Sequence, residues 1–199
     1  MTGLSDRAKE LIPQARIVSL EHWPGLSPQA RSRLQAADDN SQYLSDEDLS
    51  IVADSVLSEG SEPKESAVDT IAVVKQLRDQ APDIVDEARA DVLDTFPNIL
   101  EPGGGLYPPA RADACWRDFW QFLRCITYGI AGHQLQYTSP PGLAAMELLY
   151  EELKVPLPAM VKGLEGVKAA SLERFDEETK SAIVPYFDHL IAQLSAFIK

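Results

Sequence analysis

A thiol, a guanidinium and a carboxyl group lie within four residues in the middle of the sequence, at Cys115, Arg117 and Asp118. If this stretch is a helix, Cys115, Asp118 and Phe122 share one face, because residues three and four apart are neighbours on a helix. A thiol there can form a thioether with a ligand, and a carboxylate one turn away can accept charge-assisted hydrogen bonds from protonated nitrogens. An arginine fork suits a ligand carboxylate. These residues are therefore a candidate site for a covalently held ligand.

The same residues also have ordinary structural interpretations, and both interpretations stay open at this point. Free cysteine is among the most buried residue types, so Cys115 can be a core residue, as we expect for Cys125. Arg117 and Asp118 can equally form a solvated pair on the surface of a helix.

Other kinds of chemistry find little support in the sequence. Cys115 and Cys125 stand ten residues apart, about 15 Å along a helix axis, whereas a disulfide needs Cα atoms within about 7 Å. His22, His133 and His189 are scattered and show no metal-ligand spacing. A Cys/His nucleophile would need a positioned base and a third orienting group. We therefore expect no disulfide, no metal site and no enzyme.

The composition limits the class of partner. The chain of 199 residues carries a net charge of −13 and contains no Lys/Arg cluster, whereas proteins that bind nucleic acid or anionic membranes usually carry one. No apolar run approaches the roughly 18 residues of a transmembrane helix, and residues 1–16 lack the apolar core of a signal peptide. We expect a cytoplasmic protein without membrane insertion and without nucleic acid as a partner.

Hydrophobic residues recur at helical spacing along most of the chain, and no alternating strand pattern is longer than a few residues. Residues 5–15 predict a helix shortened or bent by an internal proline. Ser27, Ser45 and Asp176 are candidate N-caps, and the polar segment 58–66 predicts a break. The other predicted helices cover about 68–77, 84–96, 112–131, 143–153 and 159–175. In all, about eight helices are expected.

A loop rich in glycine and proline, residues 98–110, stops the helical pattern just before the candidate site. The loop contains Tyr107, and it is followed by the Cys-x-Arg-Asp sequence at Cys115 and by Leu-Arg and Thr-Tyr-Gly sequences at 123–124 and 127–129. In these elements the region resembles the phycobiliproteins, and allophycocyanin α subunits most closely. Weaker similarity extends the resemblance over residues 34–199.

The resemblance implies an all-α, globin-like phycobiliprotein fold over residues 34–199. Residues 1–33 would then be an N-terminal helical extension that serves as an association arm.

The resemblance also implies roles for the candidate residues. Cys115 would attach a linear tetrapyrrole, a bilin of the phycocyanobilin type, through a covalent bond. Asp118 would bond the central pyrrole nitrogens, and Arg117 would pair with a propionate. Tyr107 and Tyr128 would line the pocket, with Arg111 as a further partner for a propionate.

For association, the resemblance implies that Asp38, Tyr43 and Arg124 face a partner, because the family assembles through its N-terminal helices. That partner would be a phycobiliprotein-like subunit or a second copy of the chain, with linker or photosystem proteins as further candidates.

The resemblance leads to two hypotheses about function. The first is a light-harvesting protein of the phycobilisome, cytoplasmic and peripheral at the thylakoid surface, which transfers excitation energy. The second is an accessory factor for assembly or regulation, with altered or no pigment. It is suggested by Gln121 and Phe122, where the family usually has two tyrosines, and by Trp116 and Trp120 beside the thiol.

Overall fold

The computed structural model describes residues 4–21, 23–58 and 68–198. His22 and most of the break predicted over 58–66 lie outside the described residues. Within these ranges the regular structure is nine α-helices, so the all-α prediction is confirmed with one helix more than the eight expected. No described helix is both long and apolar enough to cross a membrane. The helices are α1 (Asp6–Leu11), α2 (Pro28–Asp39), α3 (Asp46–Ser58), α4 (Thr70–Asp79), α5 (Ala81–Thr95), α6 (Pro109–Ala131), α7 (Pro140–Leu153), α8 (Leu157–Leu172) and α9 (Glu177–Ser195).

Local capping explains where several helices begin. The side chain of Ser27 accepts a hydrogen bond from the Ala30 amide at 3.1 Å, and Asp176 accepts one from the Thr179 amide at 2.8 Å. Such side chains satisfy amide groups that have no partner inside the helix. The predicted starts of α2 and α9 are therefore confirmed.

Prolines account for three boundaries that differ from the predictions. The first helix ends at Leu11 rather than near residue 15, because Pro13 lacks an amide hydrogen and cannot continue the helix. Helices α6 and α7 begin three residues earlier than predicted, at Pro109 and Pro140. Proline is well suited to the first turn, where amide hydrogens have no helical partner.

Helix α6 runs through the middle of the core and contacts α4, α5, α8 and α9. Phe119, Leu123 and Ile126 on this helix are fully buried. At Gly163 of α8, a Cβ atom would lie 1.9 Å from Cζ of Phe119, so the absence of a side chain lets α8 approach α6 closely. This close packing fixes α6, which carries the candidate site.

The N-terminal residues pack against the rest of the chain. Helix α1 contacts α7, and the Ser19 amide donates to the Tyr137 carbonyl at 3.1 Å. The Ser139 amide donates to the Ile17 carbonyl at 2.7 Å. Whether residues 1–33 form a separate association arm stays a prediction, but the described part of this segment is docked on its own chain.

Candidate ligand site on helix α6

Cys115 and Asp118 lie one turn apart near the start of α6. Cys115 is a free thiol and only 5% exposed, and Asp118 is partly buried. The hydroxyl of Tyr150, on α7, donates a hydrogen bond to Oδ2 of Asp118 at 2.8 Å. The structure therefore brings together a thiol, a carboxyl group and a phenol from two helices.

Burial changes the acid–base behaviour of both groups. It raises the pKa of the Cys115 thiol to about 12; the negative charge of Asp118 adds to this shift and the positive charge of Arg111 opposes it. Burial also raises the pKa of Asp118 to about 6, against the hydrogen bond from Tyr150 and the charge of Arg117. The ionised form of Asp118 is thus costly, and a cationic partner within reach would favour it.

Tyr150 belongs to this cluster but was not identified from the sequence. It is buried, and burial raises the pKa of its hydroxyl well above the ordinary value, so it remains a donor. Its position among the apolar residues of α7 indicates burial, and a buried tyrosine hydroxyl usually has a hydrogen-bond partner. Only the tertiary structure, which brings Tyr150 of α7 to the start of α6, shows that this partner is Asp118.

The glycine loop before α6 is held at both sides by hydrogen bonds and close packing. Arg111 donates to the Gly105 carbonyl at 3.2 Å and to the Lys154 carbonyl at 2.8 Å, which joins the loop to the end of α7. At Gly104 a Cβ atom would lie 2.3 Å from the Ile99 carbonyl oxygen. Gly104 is therefore needed for packing within the loop itself.

The remaining residues predicted near the thiol lie at the surface or in aromatic contacts. Arg117 is exposed, and Tyr107 at the end of the loop is 46% exposed. The ring of Trp116 lies 5.5 Å from the ring of Phe119 and beneath the guanidinium of Arg89 at 5.4 Å. Trp116 is therefore engaged in packing.

The second half of α6 holds a different polar cluster, centred on Arg124. This side chain is 6% exposed and donates to Oε1 of Gln121 at 2.8 Å, Oδ1 of Asp38 at 2.9 Å and the hydroxyl of Tyr128 at 2.6 Å. The hydroxyl of Tyr128 in turn donates to the Gln42 carbonyl. The cluster ties α2 and the segment after it to α6.

The expected role of Tyr128 in lining a pocket with Cys115 stays a prediction, but the observed hydrogen bonds of Tyr128 lie in the second half of α6. Tyr128 is fully buried and its hydroxyl is occupied by Arg124 and Gln42. Thirteen residues separate it from Cys115, which is about 20 Å along a helix axis. The structure therefore assigns Tyr128 to the Arg124 cluster.

The three residues predicted to face a partner all make contacts inside the chain. Asp38 is 11% exposed and paired with Arg124. Tyr43 donates to the Trp120 carbonyl at 3.4 Å and meets the Trp120 ring edge-on at 4.7 Å. Their contact with a partner stays a prediction. The contacts of Asp38 and Tyr43 join α2 and the segment that follows it to α6.

Comparison with known proteins places these features in a family. The model of the phycobilisome protein family matches residues 32–194. The allophycocyanin subunit alpha-B of a Nostoc species is 31% identical over 159 residues, which cover 80% of this chain and 94% of that protein. The allophycocyanin alpha-B chain of Cyanidium caldarium is 33% identical over 127 residues, 63% of this chain and 77% of that protein. The subunit from a Synechocystis species is 30% identical over 125 residues, 63% and 78% of the two chains. The resemblance seen in the sequence is confirmed, and the chain belongs to the phycobilisome protein family.

Proposed function

We propose that this chain is a light-harvesting subunit that carries a linear tetrapyrrole through a thioether at Cys115 and passes on excitation energy. The observation that carries the proposal is the placement of the buried Cys115 thiol and the Asp118 carboxyl one turn apart on the helix that follows the glycine loop. The bilin, when bound, would supply the absorption of visible light. Membership of the phycobilisome family supports a pigment protein rather than an enzyme.

The chemistry of the two groups fits such a pigment. Cys115 is a free thiol and would hold the group covalently. Asp118 would accept hydrogen bonds from protonated pyrrole nitrogens, and its raised pKa is the reason it gains from them. A cationic partner removes the cost of keeping a carboxylate in a poorly solvated position. The hydrogen bond from Tyr150 would orient the carboxyl group.

Basic and aromatic residues at the surface complete the proposed site. Arg117 is exposed and is free to turn toward a propionate at the edge of the protein. Arg111 lies close enough to Cys115 to affect its pKa, although two of its nitrogens already bond backbone carbonyls. Tyr107 would cover the site from the loop. We propose a phycobiliprotein-type subunit or a second copy as partner, and a location at the thylakoid surface.

Zinc-enhanced fluorescence of the denatured protein on a gel tests the proposal, with protein from the native host. We expect a fluorescent band for the wild type and for Cys125→Ala, and no band for Cys115→Ala. Cys125 is the matched control because it is a free, buried cysteine on the same helix. A band that survives in Cys115→Ala, or disappears only in Cys125→Ala, would contradict attachment at Cys115.

One observation favours the second function, an accessory factor without covalent pigment. Cys115 is buried and the pKa of its thiol is raised to about 12, so the reactive thiolate is scarce at neutral pH. A dark band from wild-type protein that still copurifies with other phycobilisome proteins would favour that function.

A further inference from the structure

The first described residues of the chain form a strap, residues 4–26 apart from His22, that crosses the face of α7 and reaches the start of α2. Its first contact is apolar. Leu11 is 9% exposed and packs with Ala145 and Leu149 of α7. This contact covers a part of α7 that would otherwise expose apolar side chains.

The second contact is a short antiparallel pairing of backbones. The hydrogen bonds between Ser19 and Tyr137 and between Ser139 and Ile17 flank the facing residues Val18 and Thr138. In such a ladder, residues placed between the bonded positions have their Cα atoms about 4.5 Å apart. That spacing lies within the range that a disulfide bridges.

The third contact depends on two glycines that leave room for the strap. At Gly142 a Cβ atom would lie 1.9 Å from the Arg16 carbonyl oxygen, and at Gly132 one would lie 2.5 Å from the ring of Trp23. Arg16 also pairs with Asp39 and approaches Asp38 at 4.0 Å. The surface is therefore complementary to this segment in shape, in backbone hydrogen bonding and in charge.

The fit of the strap is nevertheless incomplete. A cavity of about 760 Å³ lies between the strap and the first turns of α2 and α7. Nε1 of Trp23 is buried with no hydrogen-bond partner among the described residues, which is unfavourable because the donor has lost its water. Both features lower the cost of lifting the strap off.

We infer that the groove under the strap is an interaction surface for a second copy of this chain, filled by exchange of the strap between two copies. The strap fits this groove in shape, in backbone hydrogen bonding and in charge, and a second copy carries the same segment. Exchange of an identical element keeps every contact and changes only the connection between strap and body. That connection is the turn at Pro24 and Gly25, where Gly25 has a φ of +75°. The inference does not depend on a pigment at Cys115.

Crosslinking between two variants that each carry one introduced cysteine tests the exchange in the full-length chain. A chain with Val18→Cys is mixed with a tagged chain with Thr138→Cys and oxidised. A disulfide between these two positions forms only when the strap of one copy lies in the groove of the other. Cys115 and Cys125 are 5% and 1% exposed, so a background of other disulfides is low. We expect a heterodimer on a non-reducing gel, at a level that rises with protein concentration.

Substitution of Gly25 should shift the balance towards exchange. Gly25→Val strains a backbone that only glycine adopts easily, and the strain is relieved when the turn opens into an extended connection. We expect the crosslinked fraction to rise about tenfold or more at equal concentration. The matched control is Gly103→Val, since Gly103 also has a positive φ, of +94°, and also has no neighbour within 4 Å of a Cβ atom. It lies in the loop before α6 and should leave the fraction unchanged.

Several outcomes would overturn the inference. One is the absence of heterodimer in the wild-type background at any concentration, which remains informative even if Gly25→Val does not fold. Another is a dimer in sedimentation velocity without the crosslink, because association would then use a different surface. An equal rise in Gly103→Val would attribute the effect to strain in general rather than to the turn of the strap.

Discussion

The two halves of α6 differ in the partners that their buried charged groups have. In the second half, Arg124 donates to Asp38, Gln121 and Tyr128, so a buried cation is matched by an anion and by neutral acceptors. In the first half, Asp118 has a hydrogen bond from Tyr150, and burial raises its pKa to about 6. The pairing of Arg124 with Asp38 stabilises the fold. Burial disfavours the ionised form of Asp118, so that form would gain from a cationic ligand.

The largest effect expected from this comparison is on Arg124. Replacing it with alanine removes the nearer cation of Asp38, leaves it only Arg16 at 4.0 Å, and removes the donors to Gln121 and Tyr128. Loss of one partner of a buried ion pair costs about 3–5 kcal/mol, and Asp38 is only 11% exposed. We expect Arg124→Ala to lower the free energy of unfolding in urea by this amount.

Arg117→Ala is the matched control, because Arg117 lies on the same helix but is exposed. A surface substitution away from special features usually changes stability by less than about 0.5 kcal/mol. Equal losses for the two variants would show that the Arg124 cluster contributes no more than a surface arginine, and the comparison between the two halves would fail.

A second prediction concerns the same substitution made at the two aspartates. Asp118→Asn removes a carboxyl group whose ionised form is disfavoured by burial and keeps an oxygen that accepts from Tyr150. We expect this variant to be more stable than the wild type at pH 7.5, by up to about 3 kcal/mol for a pKa raised from 3.8 to about 6. Asp38→Asn removes the anion that faces Arg124, so we expect it to lose about 1–3 kcal/mol.

The pH dependence of this stabilisation follows from the direction of the shift. Below about pH 4, Asp118 is protonated in both the folded and the unfolded chain, so the substitution has little effect. Between about pH 4 and pH 6 the unfolded chain releases the proton first, and the stability of the wild type falls relative to Asp118→Asn. Above pH 6 the difference is constant. Urea unfolding of the wild type and of Asp118→Asn at pH 4 and pH 7.5 measures this difference in stability. A difference that is the same at both pH values would show that Asp118 is not poorly solvated.

The parts of the fold that could be predicted from sequence are those that local chemistry determines. The caps at Ser27 and Asp176 act within one turn, so the sequence around them is enough to predict a helix start. A run of prolines is compatible both with a loop and with the first turn of a helix, so the sequence predicts the starts of α6 and α7 three residues too late. Which of the two structures forms depends on how these residues pack.

The candidate site divides in the same way. Cys115 and Asp118 belong to one helix, and their spacing alone predicts that they share a face. Tyr150 comes from α7, so its contact with Asp118 depends on helix packing that no local pattern shows. The resemblance implies that Tyr128 lines the pocket of Cys115, but its hydrogen bonds to Arg124 and Gln42 depend on tertiary packing and are several turns away along α6. The direction in which Asp38 faces likewise depends on where α2 packs.

The smallest expected effect compares the two thiols. Burial raises the pKa of both Cys115 and Cys125 to about 12, so at pH 8 each native thiol should alkylate with iodoacetamide roughly a hundredfold or more slowly than in urea. The charge of Asp118 contributes to the shift at Cys115, whereas that of Cys125 is influenced by Arg124 and Asp38. Asp118→Asn should therefore speed the alkylation of Cys115 by a few-fold and leave Cys125 unchanged, as mass spectrometry of the two peptides would show. A parallel increase at both thiols would indicate general loosening of α6, and the electrostatic distinction between its halves would then be wrong.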